Sequence, residues 1–175
     1  MMELIVNVTE NWGIGKGDAL AVRISADLKR FRSLTMGKTV ILGRKTLQTF
    51  PGGRPLKGRR NLILSRDPDF QVEGAEVFHS VEALLAALSG DAVVIGGESI
   101  YRQLLPYCTK GYVTKTYLRP DCDRFFPNLD ELPGWHITEA SPMQEEADIR
   151  FQYLTYENAG YIPYAVKGVF YGTFD

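Results

Sequence analysis

The chain has 175 residues, 45% hydrophobic, 11% aromatic and 23% charged, the make-up of one globular domain with a packed core. Twenty lysines and arginines against 21 aspartates and glutamates leave a formal net charge of -1, which argues against a general nucleic-acid binder, whose signature is a basic surplus or stripe. The opening MMELIVNVTENWGIG has no basic region and only a short apolar run, so neither a signal peptide nor a membrane span is expected. The two cysteines, Cys108 and Cys122, lack metal-ligand spacing and read as reduced thiols of a cytoplasmic protein.

Residues 4–8 (LIVNV) form an apolar run suited to a buried strand. Residues 9–24 carry Gly13, Gly15 and Gly17 among polar residues without helical or strand period, and are expected to form an irregular lid-like loop. Residues 25–35 (SADLKRFRSLT) read as a helix capped by the Ser25 hydroxyl. Stepped at about 100° per residue from Asp27, Leu34, Phe31 and Leu28 fall near roughly 340°, 40° and 100°. Arg32, Lys29 and Arg30 occupy roughly 140°, 200° and 300° on the same wheel. Asp27 therefore lies inside the apolar arc. A buried carboxylate must find donors or stay protonated, so Asp27 reads as a polar anchor in an apolar pocket in preference to a simple partner of the helix dipole.

Residues 39–42 are a second strand, and Gly43 opens a short helical segment. Residues 49–57 are a Pro- and Gly-rich loop, and residues 61–64 a third strand. Residues 80–88 form an amphipathic helix with Val81, Leu84, Leu85 and Leu88 on one stripe and Gly90 as its stop. Residues 92–95 are a fourth strand, followed by Gly96-Gly97 and a helix to Leu105, where Pro106 ends it. Strand-like runs follow at 111–117, 135–140 and 149–156. The alternation predicts an α/β fold, a mostly parallel central sheet with an antiparallel C-terminal edge strand. One domain is expected over residues 1–159. The aromatic-rich tail 160–175 has three open roles: packing on the body, contact with another chain, or an expression remnant.

In such sheets ligands sit beyond the carboxyl ends of the strands. Here those ends carry Gly43-Arg44-Lys45-Thr46, Ser65-Arg66 and Gly96-Gly97-Glu98-Ser99. Two strand-to-helix turns offer backbone amides to phosphates, and Arg44 with Arg66 can hold a further phosphate. Together they suit a dinucleotide with a 2′-phosphate, although each alone is equally a tight turn or a solvated arginine. Other motifs fail. Gly13-Ile14-Gly15-Lys16-Gly17 does not complete GxGxxG, and Gly43-Arg44-Lys45-Thr46 lacks the GK[ST] of a P-loop. Gly97-Glu98-Ser99-Ile100-Tyr101 puts Tyr where a nucleophile elbow needs Gly. His79 and His136 have no local metal or triad partners, so no metal is expected, and hydrolase and kinase readings drop away.

Seven landmarks run in order between residue 4 and about residue 158: WGIGKGDAL (12–20), ADLKRF (26–31), VILGRKT (40–46), RPLKGRRNLILSR (54–66), VIGGESIY (94–101), YVTKT (112–116) and DRFFP (123–127). In their joint order and spacing the chain resembles the dihydrofolate reductase family. The resemblance implies that family's three-layer α/β fold and NADPH-dependent reduction of 7,8-dihydrofolate to 5,6,7,8-tetrahydrofolate. A hydride goes to the pterin imine carbon and a proton to the adjacent nitrogen. It implies Asp27 and Leu20 as the catalytic pair, Asp27 anchoring the pterin beside Thr114. It places Ile5, Val6, Leu28, Phe31, Phe50, Arg59 and Ile95 around the substrate, with Arg59 pairing with the glutamate α-carboxylate.

For the cofactor, the resemblance implies Val6, Ile14, Gly43, Arg44, Lys45, Thr46, Leu64, Ser65, Arg66, Gly96, Gly97, Glu98, Ser99, Ile100 and Tyr101, with a cis peptide between Gly96 and Gly97. It further implies a cytoplasmic monomer that binds dihydrofolate and antifolate inhibitors and engages neither nucleic acid nor membrane. The chain departs from the family at three places. Leu20-Ala21-Val22 replaces the usual Leu-Pro-Trp, removing an indole N–H that orders water near the pterin. Ser25 replaces Pro, and Asn7 stands where a small apolar residue is usual. Two other readings compete: a related pyrimidine reductase of riboflavin synthesis, and a non-catalytic NADPH or folate binder with an altered lid. An interaction protein using the aromatic tail is a further class.

Overall fold

The runs 39–43, 60–64 and 92–96 are buried almost throughout, and a strand hidden on both faces must be covered by helices or loops on each side. That requirement sets the layering. The structure, a computed structural model, describes residues 1–166 and 169–171. In chain order its elements are β1 (Met2–Thr9), β2 (Gly13–Lys16), β3 (Ala19–Leu20), α1 (Ser25–Thr35), β4 (Thr39–Gly43), α2 (Arg44–Thr49), β5 (Arg60–Leu64), β6 (Ala75–Phe78) and α3 (Val81–Ala87). They continue with β7 (Ala92–Gly96), α4 (Glu98–Leu104), β8 (Lys110–Thr116), β9 (Arg124–Phe125), β10 (Trp135–Ala140), β11 (Gln144–Glu146), β12 (Ile149–Asn158), β13 (Tyr164–Val166) and β14 (Val169–Tyr171).

The main sheet runs β10-β12-β8-β1-β7-β4-β5-β6, with β11 joined to β12. The pairs from β8 to β6 are all parallel. β12 returns antiparallel to β8, and β10 and β11 lie antiparallel to β12. This is the expected mostly parallel sheet with an antiparallel C-terminal edge. Along β1, successive side chains alternate between faces. Leu4, Val6 and Val8 join Leu84, Ile100 and Leu104 in one core, on the α3 and α4 side. Ile5 joins Val40, Leu42, Leu47 and Ile63 in the other, against which Phe31 and Leu34 of α1 pack.

Three expectations need correction. Residues 9–24 are not irregular: β2 and β3 pair with each other and β2 with β9 in a small separate sheet. Their glycines carry no alternating pattern, and the partner strand lies more than a hundred residues away, so no local signal announces them. Strand β6 is also additional, a short, half-exposed edge strand. Finally, Ser25 does not cap α1. The N-cap is Ile24, with extended backbone and no side-chain bond. The Glu146 carboxylate, brought by β11, accepts instead from the backbone N–H of Ser25 (2.7 Å) and Ala26 (3.2 Å). A carboxylate satisfies two orphan donors at once and faces the positive end of the helix. Glu146→Ala is therefore expected to lower unfolding stability by about 1 kcal/mol, read as a lower urea midpoint at unchanged slope. An unmoved midpoint would show that other groups hold the helix start.

Of the tail 160–175, residues 167–168 and 172–175 lie outside the described residues. Ile162 N–H donates to the Pro106 carbonyl (2.8 Å), and buried Tyr164 meets Tyr107 edge-on at 6.2 Å between ring centres. β13 and β14 pair antiparallel. Residues 162–164 thus pack on the body, and β14 adds to β13. No helix among the described residues is long and apolar enough to cross a membrane.

Candidate active site

The parallel register of β1 and β8 sets Asn7 opposite Thr114, on the face that α1 covers. Asp27, in the first turn of α1, points at both. Its Oδ1 accepts from the Thr114 hydroxyl at 2.5 Å, and its Oδ2 accepts from the Asn7 side-chain amide at 3.0 Å. Thr114 is buried and Asp27 half-buried. The donors that the helical wheel demanded are present, each from a different strand. Ile5 and Ile95 belong to the second core, with Phe31 of the same helix as Asp27, and Phe50, packed against it. Leu28, expected to line the substrate, is 40% exposed.

Tyr101 connects this pocket to the other side of the sheet. Its hydroxyl donates to the Ile5 carbonyl at 2.6 Å. Complete burial, reinforced by the nearby Asp27 charge, pushes its ionisation far above the ordinary phenol range, so Tyr101 acts as a neutral donor. Val6 belongs with Trp12, Tyr101 and Phe126 in the first core, with Ile14 packed on it. Side chains of neighbouring β1 residues therefore line opposite sides. Val6 presents its side chain to the lid and α4 side, and Ile5 to the Asp27 side. Leu20 of the lid is 61% exposed. The lid rests on the segment before β9: Gly17 N–H donates to the Asp123 carboxylate (3.1 Å), the Asp123 N–H to the Gly15 carbonyl (3.0 Å), and Lys16 pairs with Asp121.

At the carboxyl ends of β4 and β7 the two glycine turns pack against each other. A Cβ on Gly43 would stand 2.9 Å from Ile100 Cγ1, and one on Gly97 would stand 3.3 Å from the Thr46 hydroxyl. Bare backbone is thus needed where the turns meet, and Gly96-Gly97 is the expected cis peptide. Glu98 is engaged by Arg102, and Ser99 by Gln103. Lys45 and Ser99 are exposed, whereas Leu64 is buried in the first core.

The basic pair is more constrained than its sequence suggested. Arg44 lies over the Phe70 ring at 4.5 Å and donates to Asp67 Oδ2 at 3.1 Å, while its buried Nε lacks a hydrogen-bond partner. Ser65 Oγ accepts from the Asp67 N–H, and Arg66 is exposed. At the far end of α1, Arg59 donates to the Thr35 hydroxyl (3.1 Å) and the Lys57 carbonyl (3.0 Å). Partial burial, with the neighbouring Arg32 charge, holds Arg59 below the usual guanidinium range. Two neighbouring cations are an arrangement that an anion such as a carboxylate would relieve.

Sequence reasoning missed the contributions of Asp67, Arg32 and Glu146. In the sequence Asn7 stands out as a departure from the small apolar residue usual at that strand position of the family, with no partner indicated. Among the described residues no group of three or more His, Cys, Asp or Glu is placed to hold a metal ion.

A half-buried carboxylate against an apolar core, with glycine turns at the strand ends, is the arrangement of an α/β protein suited to a small heterocycle beside a nucleotide. The comparisons with known proteins narrow that class. The model of the family described as dihydrofolate reductase matches residues 1–158. The chain is 38% identical over 143 residues to the dihydrofolate reductase type 3 of Salmonella typhimurium, covering 81% of this chain and 86% of that one. It is 43% identical over 129 residues to the dihydrofolate reductase of Neisseria meningitidis serogroup A, covering 73% and 79%. Among solved structures, the dihydrofolate reductase from Enterococcus faecalis complexed with NADP(H) and RAB-propyl superposes with a TM-score of 0.82 at 33% identity. That alignment covers 90% of this chain and 96% of that one. The chain belongs to the dihydrofolate reductase family.

Proposed function

We propose that the chain catalyses the NADPH-dependent reduction of 7,8-dihydrofolate to 5,6,7,8-tetrahydrofolate. The observation that carries this reading is the Asp27 carboxylate, held by Thr114 and Asn7 with acceptor positions left over. A ring N–H and adjacent amino group on a pterin match them. Phe31 and Phe50 supply apolar contact for the rings, and Arg59 pairs with the glutamate α-carboxylate. For the cofactor, Thr46 and the backbone of the Gly43 and Gly96–Ile100 turns take the pyrophosphate, and Arg44, Ser65 and Arg66 the 2′-phosphate. The orphaned Arg44 Nε and the Cβ-free meeting of the two turns fit such a ligand. Bound there, NADPH supplies the hydride.

The chain's own groups do the rest. Asp27 orients and polarises the pterin, with ordered water as the immediate proton donor. The lid residues Ile14 and Leu20 exclude bulk water and hold the reactants close. The same reading extends to a cytoplasmic monomer whose residues 1–159 form the catalytic unit and whose pterin site takes antifolates. Asp27, Phe31 and Arg59 together favour a pterin with an acidic tail over a riboflavin pyrimidine. NADPH absorbance is expected to fall only when dihydrofolate is present. NADPH binding without any turnover would sink the reading in favour of a binding protein.

Asp67 supplies a test of the cofactor side. Its carboxylate occupies Arg44 and repels a 2′-phosphate. Asp67→Asn is expected to tighten NADPH binding several-fold, more at low salt because the carboxylate is partly exposed, with NADH binding unchanged. A fluorescence titration showing equal effects on both nucleotides would remove Asp67 from the phosphate site.

A further inference from the structure

The pterin anchor carries one protein donor that this chain's departure from its family brings. The Asn7 amide is fixed in one orientation. Its Oδ1 accepts from the buried Thr116 hydroxyl at 2.9 Å, so its Nδ2 faces Asp27. The opposite orientation would set a carbonyl oxygen against a carboxylate oxygen. Asn7 belongs to β1, and Thr114 and Thr116 to β8 on the same face, so two side chains of a rigid parallel pair hold the carboxylate and a third, Thr116, holds the Asn7 amide.

A carboxylate offers about four acceptor positions. Thr114 takes one on Oδ1 and Asn7 one on Oδ2. One position then remains on each oxygen, so a ligand's two donors share Oδ1 with the Thr114 hydroxyl and Oδ2 with the permanent Asn7 amide. We infer that Asn7 is a specificity-determining residue: its amide selects neutral donor edges over cationic ones at the Asp27 anchor. The inference rests on the pterin-site reading above. The physical reason is competition. Either ring's bond to a carboxylate is charge-assisted on the acceptor side, and a protonated ring adds its own charge. An amide that already takes up part of the carboxylate's charge therefore weakens the attraction of the protonated ring more than that of the neutral one. A neutral 2-amino-4-oxo edge loses little. A 2,4-diamino ring, which binds a carboxylate best as its protonated form, loses more.

The paired probes are 5-benzyl-2,4-diaminopyrimidine and its neutral counterpart 2-amino-5-benzylpyrimidin-4-one. Their dissociation constants are measured on the full chain with NADPH bound, below the protonation midpoint of the diamino ring. Asn7→Ala is expected to shift the ratio of the two constants toward the diamino probe by about fivefold. Its lost volume and the freed Thr116 hydroxyl act on both ligands alike and cancel in the ratio. Thr116→Val keeps the amide but releases its orientation, and is expected to shift the ratio the same way by less. It also serves if Asn7→Ala does not fold. A ratio unchanged in both variants, with both probes weakened together, would mean that Asn7 is only structural and would overturn the inference. If neither probe binds the wild-type chain, this inference falls together with the pterin-site reading. Loss of the ratio shift with retained dihydrofolate turnover removes the inference alone.

Discussion

Asp27→Asn is expected to lower kcat/KM for dihydrofolate by on the order of 10²- to 10⁴-fold while leaving NADPH affinity unchanged. The replacement keeps the shape of the side chain, so its effect is chemical. It removes the negative charge that faces the pterin, and it halves the acceptors. The Asn7 amide already donates to one side of residue 27, so the new carbonyl oxygen must turn toward Asn7 to avoid two opposed N–H groups. The new NH₂ then faces Thr114, whose hydroxyl can rotate to accept from it, and one ligand donor meets a donor instead of an acceptor. An unpaired polar contact in a half-buried site costs more than the bond it replaces. Folding is affected little, because the protein-side bonds are rearranged instead of lost. Steady-state NADPH oxidation across a dihydrofolate series, beside a cofactor titration, reads both quantities. A loss smaller than about tenfold would move the anchor elsewhere.

Arg59→Ala is expected to raise KM for dihydrofolate by roughly 10- to 100-fold with kcat changed little, the loss of one charged hydrogen-bonded contact. Arg59 stands at the C-terminal end of α1, beyond Thr35, whereas the anchor is in that helix's first turn. An interaction so far from the reacting bond binds ground state and transition state alike, which changes KM and not kcat. Arg59→Lys is expected to recover only part of the loss. The fork that Thr35 and the Lys57 carbonyl hold in place has no equivalent in an ammonium group. The decisive comparison is a dihydropterin without the glutamate tail. With it, wild type and Arg59→Ala are expected to give the same KM. A KM increase that persists on the tailless substrate would assign Arg59 a structural role in the loop before β5.

Much of this architecture was legible in the chain. The run ADLKRF put a carboxylate among apolar residues at helical spacing, which marked Asp27 before any partner was visible. The apolar runs at 39–42, 61–64 and 92–95 fall within β4, β5 and β7, and the helix 25–35 keeps its bounds. Periodicity reports which face of an element is buried, and burial is a property of the element itself. The family resemblance supplied site positions that composition and spacing could not single out, Arg59 above all, which local sequence presents as one more charge in Lys57-Gly58-Arg59-Arg60.

What the tertiary structure decided is pairing between distant segments. The donors to Asp27 come from positions 20 and 87 residues away, and the cap of α1 from 121 residues away. A sequence shows that a carboxylate needs donors and that a helix needs a cap, but not which distant group supplies them, because that depends on register and strand order. The same holds for the lid, whose glycine-rich strand β2 pairs with the distant β9 as well as with β3, and for Arg44, whose guanidinium is taken up by Asp67. Local chemistry determined the core strands and the first helix and marked the anchor. The parallel register of β1 with β8, and the return of β11 to the start of α1, decided what surrounds that anchor.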